Sequence, residues 1–305
     1  LEERFDMTIT IGNYEIEING DHRNDFDPRI QNNASEERHL IDGEEVTVGF
    51  VYNAVYKQKN ALEHGLKQIR KIYPNSKIYI VSDGGFDYSY LEDQYDNLKF
   101  EMGEDTIGAY TKMNFHNYLE EENQKAVKKN IAVNIERIIK GIEYCGNPDW
   151  TFMTESDVLL RGKVSYPSNA KLLGTRLNYA WDIPGRLEQY ISMNKISSQI
   201  EGSIPMFRWG AVPAIFDTET YLKATKVYKE NFNLLDDVTR TVFGINCFDV
   251  IVPFLFSLVG EEEVYNSEIT ECLRDPSWRT SSHPIVHQFR EYYSDESHYP
   301  YMEVR

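Results

Sequence analysis

Cysteine is scarce in this 305-residue chain, and the three present, Cys145, Cys247 and Cys272, are odd in number and far apart. That excludes a zinc knuckle and a disulfide framework, and it favours a reducing, cytoplasmic setting. Glycine (18) and proline (11) are too few for a collagen-like or low-complexity chain. No apolar run is long: Val250 to Gly260 covers 11 residues, where crossing a bilayer takes ~20. No signal peptide opens the chain and no membrane segment is expected within it, though neighbouring domains or an anchor could lie outside. Leu1 in place of Met is expected of a trimmed chain or a fragment. Basic residues are also short, 32 Lys and Arg against 49 Asp and Glu, for a net charge of −17. Nucleic-acid binding needs a basic footprint, which this balance denies globally. An anionic ligand would be repelled at long range, so a phosphate would need a metal or a few placed Arg and Lys around it.

The chain is 41% hydrophobic and 13% aromatic, with 21 Tyr, which excludes disorder throughout and supplies a sizeable core. Its length suits one large domain or two ordinary ones. Residues 1–45 read as an extension. Thr8 to Ile18 alternates around Gly12-Asn13, a hairpin signal, and the polar stretch from Asn19 to Glu45 reads as a loose linker. Asn33-Ala-Ser35 fits a glycosylation pattern that so Asn-rich a stretch meets by chance.

From Val46 the pattern alternates strand and helix. Val46 to Tyr52 is a β-rich run ending at Asn53. Leu62, Leu66, Ile69 and Tyr73 carry helical spacing up to a stop at Pro74-Asn75. Lys77 to Val81 is the next strand, ended by Ser82-Asp-Gly-Gly, and Leu98 to Met102 a weaker one. A long helix from about Gln124 to Tyr144 lines Val127, Ile131, Ile135, Ile138 and Ile142 on one face and stops at Gly146-Asn-Pro. Trp150 to Met153 is a strand with Thr154-Glu-Ser-Asp157 at its exit. This alternation predicts an α/β fold with a parallel sheet. Ligands in such sheets bind beyond the carboxyl ends of the strands, where Asp83, Glu155 and Asp157 all fall. Further on, Lys171 to Thr175 reads as a strand and Trp209 to Phe216 as an extended segment. Asp217 is the expected N-cap of a helix to about Tyr228, and Val250 to Val259 reads as a buried helix.

Glu155-Ser-Asp157 puts two carboxylates at one strand exit. Both can reach a hard cation, or one can hold the cation and the other a ribose or water; Mg²⁺ and Mn²⁺ take such oxygen donors and bridge phosphates. The order of elements, Val46–Tyr52, helix, Ile78-Tyr-Ile-Val-Ser-Asp83, helix, then Trp150-Thr-Phe-Met-Thr-Glu-Ser-Asp157, resembles a GT-A glycosyltransferase. The likeness runs closely over residues 46–160 and loosely over 170–290. It implies a GT-A-like, Rossmann-type, mostly parallel sheet flanked by helices, with the N-terminal β-hairpin as an extension. Residues 46–160 would be the nucleotide-binding half and 161–305 the acceptor-binding half of one domain, 46–305.

The resemblance further implies a metal-dependent transferase, using Mn²⁺ or Mg²⁺, that moves a hexose or pentose from a nucleotide-diphosphate sugar. A UDP-sugar is the expected donor, and a glycan or other hydroxyl compound the acceptor. The family's metal motif is of D-x-D type; here Glu155 stands in the first acidic position. Asp157 is therefore the expected metal ligand, with Glu155 either behind the ion or on the ribose. Asp83 would bind the nucleotide, though Asp-Gly-Gly is also a good turn. Val51, Tyr52 and Asn53 would cradle the base or simply pack. In His283-Pro-Ile-Val-His287, His287 would close the metal site or be a half-buried surface His. Pro284 is expected to start a helix that carries Arg290 toward the leaving diphosphate. An inverting enzyme needs a carboxylate base; Asp249 is the expected one, with Asp236-Asp237 as alternative, and an N-cap is its other reading. Trp209-Gly-Ala, Trp181 and Tyr179 are candidates for the acceptor side or for packing. Two rivals remain. A sugar-1-phosphate nucleotidyltransferase would need a glycine-rich loop, which Asn53 to Asn60 lacks. The other is a non-catalytic glycan-binding or scaffold module.

Overall fold

The computed structural model describes residues 5–11, 14–20, 36–55, 59–83, 86–103, 121–174, 202–203, 214–230, 252, 255–256, 259, 261, 269–271 and 282–287. Five strands form the main sheet's body and edge: β4 (Val48–Val55), β5 (Lys77–Asp83), β6 (Leu98–Met102), β7 (Trp150–Glu155) and β10 (Leu172–Leu173). With β12 (Ala214–Asp217) they make six, ordered β10-β12-β7-β4-β5-β6. β7, β4, β5 and β6 run parallel, while β12 is antiparallel to both β7 and β10. This is the mostly parallel α/β sheet that the sequence predicts, with one reversed strand that it does not. Alternation of apolar residues reports burial, and strand direction leaves no such mark.

Helix α1 (Lys59–Ile72) follows β4 and covers one face. Its Leu62, Leu66 and Ile69, with Tyr73 just past its end, are buried in one cluster with Phe50, Tyr52, Ala54, Ile78 and Ile80. The Phe50 ring lies 5.5 Å from that of Tyr73 and 4.7 Å from that of Phe152. Helix α2 (Glu121–Cys145) covers the other face, where a Cβ on Gly141 would come within 2.6 Å of Val51 and 2.9 Å of Tyr79. Ile135, Ile138 and Ile142 of its expected stripe are buried. The helix ends as expected. Gly146 takes φ +83°, the Asn147 N–H donates to Ile142 O and the Gly146 N–H to Glu143 O, which together satisfy the last carbonyls.

Helix α3 (Thr218–Glu230) begins at its predicted cap, with Asp217 Oδ1 accepting from the Thr220 N–H at 2.9 Å. Val252, Leu255 and Phe256 are helical and buried, within the predicted apolar helix. At the start, β1 (Phe5–Ile11) and β2 (Tyr14–Gly20) form the expected antiparallel hairpin, with Ile11 opposite Tyr14. A short strand β11 (Gly202–Ser203) joins β2. The expected loose linker is a correction at its far end. β3 (Glu37–His39) pairs with β9 (Ser165–Pro167), and Leu40 is buried in the main core. A third small sheet holds β8 (Val158–Leu160), β14 (Ile285–His287) and β13 (Ile269–Glu271) in the order β13-β14-β8. Among the described residues no helix is long and apolar enough to cross a membrane.

Candidate metal centre

β7 is buried from Trp150 to Thr154 and emerges at the carboxyl edge with Glu155 half-buried. Ser156 and Asp157 turn the chain, and β8 starts at once with three buried residues, Val158, Leu159 and Leu160. The apolar segments on both sides fix where the turn must sit. β14 then pairs antiparallel with β8 and sets His287 directly opposite Val158. One ligand atom from each of Glu155, Asp157 and His287 lies within 4.8 Å of the others. Donors facing each other across a divalent ion at about 2.1 Å stand about 4.2 Å apart, so the cluster is close to ligating geometry. Asp157 is 1% and His287 7% exposed. Their Oδ1 and Nδ1 atoms are sealed from solvent. Two carboxylates and an imidazole form a mixed oxygen and nitrogen donor set that a divalent ion such as Mn²⁺ can take, and a carboxylate this deeply buried is favourable only with cations or donors close by. The residues therefore fit a divalent cation.

The route to His287 differs from the expectation. Residues 285–287 are a strand, and Pro284 precedes it as a bend rather than starting a helix. The neighbouring β13 runs parallel to β14 with Glu271 as the register partner of His287. His283 is half-buried, and burial, then the nearby Arg161 guanidinium, holds its ring below the ordinary imidazole range.

The other expected ligands divide. Asn53 is half-buried and is the register partner of Glu155 on the adjacent strand, so it stands beside the cluster. Tyr52 is 2% exposed, its ring belongs to the core under α1, and its hydroxyl bonds Thr154. Of its two expected roles, base cradle or packing, this burial favours packing. Asp83 is the last residue of β5, at the same sheet edge and two strands from Glu155. Arg290, Asp249, Asp236, Asp237, Trp181, Tyr179 and the Trp209-Gly-Ala segment lie outside the described residues.

A buried polar group at this edge escaped the sequence reading. Arg137 of α2 is 5% exposed and donates through Nη1 to the buried Asn134 Oδ1 at 3.3 Å. Its Nη2 lies against Gly103, where a Cβ would stand 2.5 Å from it and 2.6 Å from Ser82 O. The Gly103 N–H donates to that same Ser82 O at 3.1 Å. A guanidinium is thus packed where β5 and β6 end, near Ser82, the residue before Asp83. The signal was available: Asn134 and Arg137 interrupt an otherwise apolar helix stripe.

No protein-family model and no curated protein matches this chain. Three similar solved structures illustrate its likeness to known folds. One is the galactosyltransferase LgtC with donor and acceptor sugar analogues, at 10% identity and TM-score 0.41, covering 83% of this chain and 99% of that one. Another is core-mannan synthase A from Aspergillus fumigatus in its Mn/GDP form, at 12% identity and TM-score 0.41, covering 75% of each chain. A third is the apo glycosyltransferase GlyE of Streptococcus pneumoniae, at 10% identity and TM-score 0.39, covering 84% of this chain and 60% of that one. At such identities and scores these likenesses carry nothing about what this chain does.

Proposed function

We propose that this chain is a metal-dependent glycosyltransferase that moves a sugar from a nucleotide-diphosphate donor, a UDP-sugar by expectation, to a hydroxyl of a glycan or related acceptor. The observation that carries the reading is the convergence of Glu155, Asp157 and His287 at the carboxyl edge of a mostly parallel sheet. Asp83 ends a strand two places away, about 10 Å at ordinary strand spacing, a span that suits a ribose at one end and a diphosphate at the other. In a chain of net charge −17 such a donor needs local neutralisation, and the buried Arg137 guanidinium supports it from the α2 side.

Asp157 and His287 would hold the cation, with Glu155 beside them or toward the ribose. When bound, a divalent ion neutralises the diphosphate and stabilises it as a leaving group. Asp83 would accept hydrogen bonds from the nucleotide, and Arg290 would face the diphosphate. The buried β8 and β14 side chains exclude water from the back of the site, which strengthens each charge interaction there. In an inverting course Asp249 takes the proton from the acceptor hydroxyl. That oxygen bonds the anomeric carbon, and the bond from this carbon to the diphosphate breaks, its electron pair leaving with the nucleotide. Residues 46–160 would bind the nucleotide and 161–305 the acceptor.

Titration with Mn²⁺ and a panel of nucleoside diphosphates tests this. Binding should require the metal, and Asp157→Ala should weaken it by at least about 100-fold, the upper end of what losing a ligand-supporting group costs, with the fold intact. Normal turnover in that variant would falsify the assignment. Pyrophosphate release would instead indicate a nucleotidyltransferase, and metal-independent or absent nucleotide binding a non-catalytic module.

A further inference from the structure

The cluster's third donor, His287, reaches Asp157 only through two very short strands. β8 and β14 share three residue pairs, Ile285 with Leu160, Val286 with Leu159 and His287 with Val158. A slip of one residue in such a pairing sends every side chain to the opposite face. Three pairs to β8, with three more to β13 on the other side, are a short pairing, and what holds its end bears directly on the register.

That place is occupied by Arg161, the residue after β8. Its backbone N–H donates to Pro284 O at 2.6 Å, and its guanidinium Nη2 donates to His283 O at 3.1 Å. One residue thus grips two consecutive carbonyls just before β14 begins. The side chain is 1% exposed and is the largest of the fully buried ones among the described residues. Burying a guanidinium is costly, and its rigid fork of donors is suited to fixed oxygen acceptors rather than to filling space. The next residue completes the fit: a Cβ on Gly162 would already meet Pro284 Cβ at 3.4 Å, so the proline ring lies directly over this glycine. Proline's fixed φ makes the approach to β14 stiff as well.

We infer that Arg161 is a positioning residue for the metal centre: its grip on the carbonyls of His283 and Pro284 sets the β8–β14 register and so delivers His287 to Asp157. This rests on the metal-centre reading above and deepens it. Arg161 contacts no substrate in this role and acts only through His287.

Arg161→Met tests it, since it keeps the length and apolar stem of the side chain and removes the fork of donors. In the metal-free protein, hydrogen exchange of peptides covering 283–287 should speed up by about tenfold, with those of β4 and β5 unchanged. Mn²⁺ affinity, followed by EPR, should fall by about tenfold or more. In a His287→Ala background the same change should cost no further affinity, because the two act as one unit. Unchanged protection and affinity in folded Arg161→Met overturns the inference. So does an equal loss in the His287→Ala background, which would mark general destabilisation. Should Arg161→Met not fold, Arg161→Gln decides: it keeps a polar side chain and the backbone N–H bond to Pro284 O but is too short to reach His283 O, and unaltered Mn²⁺ affinity there also overturns the inference. Wild-type protein that binds no Mn²⁺, or His287→Ala that binds it normally, instead sinks the metal-centre reading, and the exchange measurement still judges the positioning role.

Discussion

The two faces of the central sheet are built differently. Under α1, the sheet residues Phe50, Tyr52, Ala54, Ile78 and Ile80 meet Leu62, Leu66, Ile69 and Tyr73 in one apolar cluster. Under α2 the packing is apolar at first, with Val51 and Tyr79 against Gly141, and turns polar toward the carboxyl edge. Arg137 and Asn134 are buried there, and Asn53 and Glu155 occupy matching positions on neighbouring strands. At the rim, Tyr79 and Lys140 both donate to Glu101. The α1 cluster is apolar throughout and also takes in Val158, Leu160 and Ile285, next to the acidic turn and His287, while the α2 face carries buried charge and hydrogen bonds.

The largest effect should come from the apolar side. Leu66→Ala should cost about 2–5 kcal/mol by denaturant melts, the usual range for such a truncation, and leave Mn²⁺ affinity of the folded fraction alone. A smaller and opposite pattern is expected from Arg137→Lys. Stability should change little, but donor affinity measured by calorimetry should drop about tenfold, or about 1.4 kcal/mol, because an ammonium cannot reproduce the guanidinium's fork. If Leu66→Ala weakened the donor site as much as Arg137→Lys, the division between the faces would be broken.

The smallest effect belongs to the rim. Hydrogen bonds from Lys140 and then Tyr79 hold the Glu101 carboxyl below its ordinary range. A carboxyl lowered on folding adds stability above its unfolded value, about 4.3, and loses it as pH falls through the folded value. Both partners are substantially exposed, so Lys140→Met should cost no more than about 0.5 kcal/mol at about pH 7 and nothing at about pH 2. Paired melts at the two pH values would reveal a larger share if this pair does more than decorate the edge.

What was legible in the sequence follows from locality. The β4-α1-β5 unit, the α2 stripe with its Gly146 stop and the Asp217 cap are written in periodicities and cap chemistry within a few residues of each other. The acidic pair at 155 and 157 was legible for the same reason, since an apolar strand ends beside it. β14 was not. Three residues carry no period, Pro284 suits a helix start as well as a strand entry, and the partner β8 lies far upstream. The β3–β9 pair was hidden likewise, because a polar stretch can still add a short strand when a distant edge is open to it. Tyr52 stays ambiguous in the sequence because a tyrosine at a strand end fits a ligand and a core equally well, and the packing of α1 favours the core. Arg137 was passed over because the helix stripe was read for its apolar members alone.

The grip between Arg161 and His283 joins positions 122 residues apart. During synthesis every parallel strand of the main sheet is in hand long before the imidazole that completes the cluster is made. Contacts of such long range form late, so the sheet comes first and the meeting of Glu155, Asp157 and His287 last. A growing chain can therefore bury most of the sheet's apolar surface before the strand that carries the imidazole arrives.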